Sequence, residues 1–210
     1  MHWLILCLDI IGTVSFAISG ALCGVKANMD VFGTCVLGLT TATGGGMIRD
    51  VMLGITPPSV FSQPEHFIIA VCVSILVFLP LVRRTLNAVP GLYDKAMLLT
   101  DSAGLGIFTV YGVSVAMSHG FGNNISLVLF VGVITGVGGG IFRDLFSGSR
   151  PYIFVKHIYA VAALGGALVC RLLWYRLGSS WSMLAGCAFI FVLRICSAVF
   201  RWNLPKAKDI

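Results

Sequence analysis

Gly44-Gly45-Gly46-Met47-Ile48-Arg49-Asp50 and Gly138-Gly139-Gly140-Ile141-Phe142-Arg143-Asp144 are one phrase written twice, 94 residues apart. Each copy closes a long apolar run. Three glycines are expected to interrupt the helix there, and an Arg-Asp dipeptide places full charges beside the break. In lipid, irregular backbone and ionised side chains are tolerated only against protein or a water-filled cavity. The phrase therefore points to a polar path inside a membrane protein, built twice.

The duplication extends outward from the phrase. Aligning residues 38–58 with 132–152 gives nine identities in 21 positions: Gly38, Thr41, Gly44, Gly45, Gly46, Arg49, Asp50, Gly54 and Pro57 with their counterparts. Sliding by 92 instead places Asp9, Gly12, Phe16 and Gly20 on Asp101, Gly104, Phe108 and Gly112. That spacing puts four residues on one narrow stripe of a helix with about 3.6 residues per turn. A stripe kept in both copies reads as an interface between helices.

Composition sets the solvent. Of 210 residues, 58% are hydrophobic and 10% charged, with a mean hydropathy of +0.98; a soluble domain carries about 25% charged residues. The net charge of +6 is spread between apolar segments and forms no basic stripe, so no nucleic-acid partner is expected. Seven cysteines lie inside apolar runs without CxxC or zinc spacing and read as small packing residues. The first apolar run has no Lys or Arg before Trp3 and shares in the repeat, so it reads as part of the fold, not as a signal peptide.

A membrane span needs roughly 20 apolar residues. Seven are expected, at residues 3–25, 31–54, 67–84, 97–117, 124–147, 154–175 and 180–200. Pro57, Pro58, Pro64, Pro90, Gly91, Gly120, Pro151 and Gly178 punctuate them. The expected class is an all-α polytopic membrane protein. Residues 1–90 form a first three-helix repeat, 91–178 a second and inverted one, and 179–210 a seventh helix with its tail. The glycine triplets lie in the second and fifth helices and permit a kink there. Lys26, Arg83, Arg84, Lys95, Arg150, Lys156, Arg201, Lys206 and Lys208 fall on one side, against mainly Arg176 on the other. The excess of Lys and Arg predicts an outside N-terminus and a cytoplasmic C-terminus.

An odd number of spans per repeat inverts the second copy, and inverted repeats place their functional path at the repeat interface. Depth then matches Asp9 with Arg49 and Asp101 with Arg143, which are expected to pair or share water. Arg49 and Asp50, adjacent on a helix, are expected to need other partners. Carboxylates and bared carbonyls suit a partly dehydrated cation, whereas Arg and a half-helix N-terminus suit an anionic group. The pore or gate set is therefore Gly44, Gly45, Gly46, Arg49, Asp50, Gly138, Gly139, Gly140, Arg143 and Asp144, with Asp9 and Asp101 as charge partners.

Weaker signals carry bland readings. Gly132, Gly136 and Gly140 follow the small-xxx-small packing pattern. His66 and His119 read as loop residues, Lys156 and His157 as interfacial. Trp174, Tyr175, Trp181 and Trp202 read as interfacial anchors. Arg171 and Arg194 sit within or near apolar stretches, where either could line a path, and are left outside the site set. No Ser/His/Asp set, metal cluster or cofactor motif is visible, and GGGMIRD lacks the Gly-Lys-Ser/Thr of a nucleotide loop. Enzyme activity is not expected.

The paired GGGxxRD motifs in a chain of this length resemble the prokaryotic trimeric intracellular cation (TRIC) channel family, which overlaps with bacterial proteins labelled glycine transporters. The resemblance runs from Asp9 to Phe200. It implies a homotrimer with one pore inside each protomer, second and fifth helices kinked at their glycine triplets, and permeation by monovalent cations with potassium favoured. It also implies surrounding membrane lipids as partners and a bacterial inner-membrane location. The Lys-Glu-Val motif of vertebrate members has no counterpart here, which leaves an ordinary anionic lipid in place of a phosphoinositide. A small amino-acid carrier, with glycine held between Arg and Asp, is the alternative. A non-conducting scaffold is a third reading.

Overall fold

The computed structural model describes residues 2–155 and 158–202. Lys156 and His157, and the orientation signals Lys206 and Lys208, lie outside the described residues. The elements run α1 (His2–Lys26), α2 (Val31–Met52), α3 (Ser59–Ser62), α4 (Pro64–Phe78), α5 (Pro80–Ala88), α6 (Leu92–Ser118), a 3-10 turn (Phe121–Asn123), α7 (Ile125–Phe146), α8 (Tyr152–Val155) and α9 (Tyr159–Val199). Among the described residues, five helices are long and apolar enough to cross a membrane, and the bent pair α4–α5 makes a sixth crossing if counted as one.

The local sequence explains the boundaries. Asp30 caps α2 by accepting the Gly33 amide at 2.7 Å, and Asn124 caps α7 by accepting that of Leu127 at 3.0 Å. These caps are again 94 residues apart and satisfy amides that the first turn leaves orphaned. At the other end, Gly54 and Gly148 adopt φ of 71° and 70°. The amides of Ile55 and Ser149 return to the Asp50 and Asp144 carbonyls, while those of Gly54 and Gly148 return to Val51 and Leu145. This is the Schellman stop, for which a left-handed residue is needed and glycine carries no Cβ penalty.

One expectation about spans is corrected. The third span is broken: Pro80 forces Leu79 into an extended conformation (φ −55°, ψ 142°), and α4 and α5 meet at 64°. The sixth and seventh spans follow one another without an intervening loop, in the run Tyr159–Val199. Gly178, at φ 78° and ψ 167°, breaks it. The two arms fold back on each other: a Cβ on Gly186 would stand 2.8 Å from the Gly166 carbonyl oxygen, and one on Gly166 equally close to that of Gly186.

The glycine triplets do not interrupt their helices. Residues 31–52 and 125–146 are α-helical throughout. The physical reason is that unmade backbone hydrogen bonds are costly where no water replaces them. The glycines instead let α2 and α7 cross backbone to backbone. A Cβ on Gly45 would collide with the Thr135 carbonyl oxygen, and one on Gly139 with that of Thr41. One on Gly138 would stand 2.9 Å from Gly45 Cα.

These contacts come in reciprocal pairs. A Cβ on Gly12 would meet Phe108, and one on Gly104 would meet Phe16. Gly20 lies against Thr41 and Leu37, and Gly112 against their counterparts Thr135 and Val131. Thus α1 packs on α2 and α6 on α7, while α1 meets α6 and α2 meets α7 across the middle. Phe16 and Phe108, with ring centroids 5.3 Å apart, sit at that meeting point, 1% and 7% exposed.

Candidate functional site

The third glycine of each triplet has a different use from the first two. Gly46 lies beneath its own helix's arginine, its absent Cβ 3.7 Å from Arg49 Nη2; Gly140 does the same at 3.8 Å from Arg143 Nη2. A Cβ at Gly46 would make only ordinary van der Waals contact with the guanidinium, whereas one at Gly140 would stand 2.9 Å from Tyr159 Oη; in both copies the guanidinium folds back along the helix. It then reaches the aspartate beside it. Arg49 Nε donates to Asp50 Oδ1 at 2.7 Å, and Arg143 Nε to Asp144 Oδ1 at 2.8 Å. The expectation that these neighbours cannot pair is wrong. Their Cβ atoms diverge, but the long, bent arginine side chain closes the gap.

Each aspartate spends its second oxygen on the following loop. Asp50 Oδ2 accepts from the Ser59 amide at 2.7 Å and its hydroxyl at 2.6 Å. Asp144 Oδ2 accepts from the Tyr152 amide at 2.7 Å. The Arg-Asp dipeptide therefore anchors the start of α3 in one copy and of α8 in the other. An aromatic ring covers each guanidinium, Tyr111 at 5.0 Å for Arg49 and Tyr152 at 4.8 Å for Arg143. Such stacking favours a cation shielded from water.

Beyond this shared frame the two sites diverge. The second is closed: Arg143 Nη1 donates to Asp101 Oδ1 at 2.5 Å and to Ser19 Oγ at 2.6 Å. Tyr159 Oη adds a bond to Asp101 Oδ1 at 3.2 Å, and Arg194 Nη2 reaches Asp101 Oδ2 at 3.5 Å. Asp101 and Arg143 are both fully buried. The expected Asp101–Arg143 pair is present. Arg143 Nη2, equally buried, has no protein acceptor among the described residues.

The first site is open. Of the two expected arrangements of Asp9 and Arg49, the direct pair is not formed; Asp9 Oδ2 lies 2.7 Å from Nε2 of His66. His66 is not a loop residue but sits in the first turn of α4. The depth match still brings Asp9 and Arg49 to the same place. Both line a cavity of about 40 Å³ with Thr13, Thr43, Ser59 and His66, which is room for a few waters. Of the six triplet glycines, Gly46 alone lines this cavity; Gly44, Gly45, Gly138 and Gly139 are packed at the α2–α7 crossing, and Gly140 lies beside Arg143 and Tyr159. The first site stands near the start of α1 and the ends of α2 and α6, and the second near the start of α6 and the ends of α7 and α9. The antiparallel helices put them toward opposite ends of the bundle, with Phe16 and Phe108 between.

Comparison with known proteins bears on these paired sites. The family model described as "Glycine transporter" matches over two segments, residues 6–81 and 98–175. The chain belongs to that family. The segments begin 92 residues apart, the same interval that superposes Asp9 on Asp101. Among relatives, the UPF0126 membrane protein YvgT of Bacillus subtilis is 36% identical over 203 residues, 95% of this chain and 94% of the relative. The UPF0126 inner membrane protein YadS of Escherichia coli is 38% identical over 205 residues, 97% and 93% respectively. Solved structures of TRIC channels match the fold. One, described under the structural basis for conductance through TRIC cation channels, gives a TM-score of 0.85 at 36% identity and 97% of both chains. A prokaryotic TRIC channel crystallised in 0.5 M KCl gives 0.88 at 32%, covering 97% of this chain and all of that one. The TRIC trimeric intracellular cation channel orthologue of Rhodobacter sphaeroides gives 0.85 at 32%.

Sequence reasoning missed His66, Arg194, Tyr159, Ser19 and Ser59. Arg194 carried a signal, as a lone charge inside an apolar span. His66 carried none, because a histidine after Pro64 reads equally well as loop.

Proposed function

We propose that the protein is a monovalent-cation channel, potassium-favouring, in which each protomer holds its own path between two inverted three-helix repeats. The observation that supports this most is the pair of buried Arg-Asp sites at opposite ends of one bundle, each with a further carboxylate at hand. A lone guanidinium would repel a cation; paired with carboxylates, it becomes an element that admits or blocks one according to where it points. The whole-chain likeness to TRIC cation channels supports the same reading.

In this reading the captured state is closed. The Gly45–Thr135 and Gly139–Thr41 approaches and the Phe16–Phe108 pair seal the middle, and Asp101 is held by Arg143 and Arg194. Opening bends α2 and α7 at their glycine triplets, where the backbone is most yielding, and draws Arg143 from Asp101. The orphan Nη2 of Arg143 is a place for water on that route. Counting both arms of α9 and the bent α4–α5 pair gives seven crossings. Residues 1–90 and 91–178 are then the repeats, and 179–210 the appended helix. The Lys and Arg bias supports an N-terminus outside the cytoplasmic membrane, and the trimeric relative supports a homotrimer.

The second reading is a glycine carrier, favoured by the family's description and by a cavity that presents both a carboxylate and a guanidinium. Purified protein in liposomes separates the two. A channel gives potassium flux that follows the imposed gradient without saturation by glycine. Saturable labelled-glycine uptake with counterflow, and no ionic current, would replace the channel reading with the carrier.

A further inference from the structure

The two sites are built on matched positions but balanced differently. In the second, Arg143, Arg194, Asp101 and Asp144 cancel as fixed charges. In the first, Arg49 cancels Asp50, and Asp9 faces an imidazole where Asp101 faces guanidinium groups. One of the two ends of the path thus depends on a group that titrates near neutrality.

The hydrogen bonding of that imidazole is specific. Nε2 of His66 lies 2.7 Å from Asp9 Oδ2, and Nδ1 lies 3.3 Å from the carbonyl oxygen of Gln63. A carbonyl and a carboxylate only accept. Both ring nitrogens can donate only when the ring carries two protons, so the arrangement is fully satisfied by the imidazolium. Removing one proton leaves an acceptor nitrogen facing an acceptor oxygen, and one of the two contacts is lost.

We propose that His66 and Asp9 form a proton-operated latch on the first-site cavity. With the proton in place, the imidazolium covers Asp9 and the cavity is electrically balanced. With it gone, Asp9 faces the cavity with an unmatched negative charge. The groups around the ring that bear on this are Asp9 on α1, Arg49 and Asp50 on α2, Glu65 on its own helix α4, and Tyr111 on α6. Arg49 and Asp50 are engaged with each other and Ser59, and Tyr111 stacks on Arg49. Among the described residues, the one other cation lining the cavity with Asp9 is therefore Arg49, already engaged by Asp50. The second site has no such response, because its counterions are arginines, which stay charged.

The inference rests on the channel reading for its consequence, and cations are attracted when the latch is open. Potassium current should rise as pH rises on the N-terminal side, and respond little to pH on the other side. The expected change is about fivefold, the Boltzmann factor of one unit charge acting at about 4 Å in a watery cavity.

The experiment is bilayer recording of the purified protein with pH varied on one side at a time, from about pH 9 to about pH 5, spanning the range over which histidine titrates. Wild type should lose current with acid on one side only. His66→Gln, which keeps a polar contact to Asp9 without a proton to gain, should give high current that ignores pH. His66→Arg, which copies the second site, should give low current that ignores pH. A wild-type current flat in pH on both sides, or a His66→Gln variant that titrates like wild type, overturns the latch. If no current flows at any pH, the channel reading fails, and the imidazole nitrogen resonances of His66 in micelles decide the latch. Its titration should move to lower pH in Asp9→Asn; an unmoved titration overturns the proposal.

Discussion

Arg143→Met removes a guanidinium from the closed site while keeping most of the side chain's length. Among the described residues, Asp101 then keeps only the 3.2 Å bond from Tyr159 and the 3.5 Å contact from Arg194, and Asp144 keeps only the Tyr152 amide for its carboxylate. Breaking a buried ion pair by deleting one partner costs about 3–5 kcal/mol, because the charge left behind is buried and uncompensated. At about 2–4 °C per kcal/mol for a chain of this size, the midpoint of thermal unfolding in detergent should drop by about 6–20 °C. Arg49→Met is the control. Its partner Asp50 retains both Ser59 bonds, and the site borders a cavity that water can fill, so the loss should be no more than half as large. Adding Asp101→Asn to Arg143→Met removes one orphaned charge and should recover part of the deficit. The same variant should change single-channel conductance or open probability. Equal stability of the two arginine variants, or no recovery in the double variant, would refute the assignment of Arg143 as the clamp of a closed site.

Other consequences test separate links. Gly45→Ala drives a methyl into the Thr135 carbonyl and should cost about 1–3 kcal/mol. Gly46→Ala meets nothing closer than a guanidinium 3.7 Å away and should leave the unfolding midpoint within error. Asp30→Ala removes the cap of α2 and should cost about 0.5–2 kcal/mol, readable in the same melt. Phe108→Ser opens the aromatic seal at the centre and should raise basal potassium leak from loaded liposomes; an unchanged leak would remove Phe16 and Phe108 from the barrier.

The duplication was the legible part. Identities at Gly38, Thr41, Gly54 and Pro57 predicted matched helices with matched ends, and the Asp30 and Asn124 caps and Gly54 and Gly148 stops follow that register. The stripe Asp9, Gly12, Phe16, Gly20 was rightly read as an interface. The glycine triplets were misread as breaks because glycine's low helix propensity and its value at close crossings leave the same trace in sequence. Only coordinates show that Gly45 faces a carbonyl and Gly46 an arginine. The Asp9–His66 pair was illegible because it joins positions 57 apart, and although Asp9 is matched by Asp101, no histidine stands opposite His66 at either repeat interval. Periodicity locates a repeated contact, and it is silent where the copies depart from each other.

The central claim is that this path carries cations. Bilayer recording of purified protein under a potassium chloride gradient tests it most directly. The account predicts discrete currents reversing close to the potassium equilibrium potential, altered by Arg143→Met. A silent bilayer from protein that takes up labelled glycine in liposomes would contradict it.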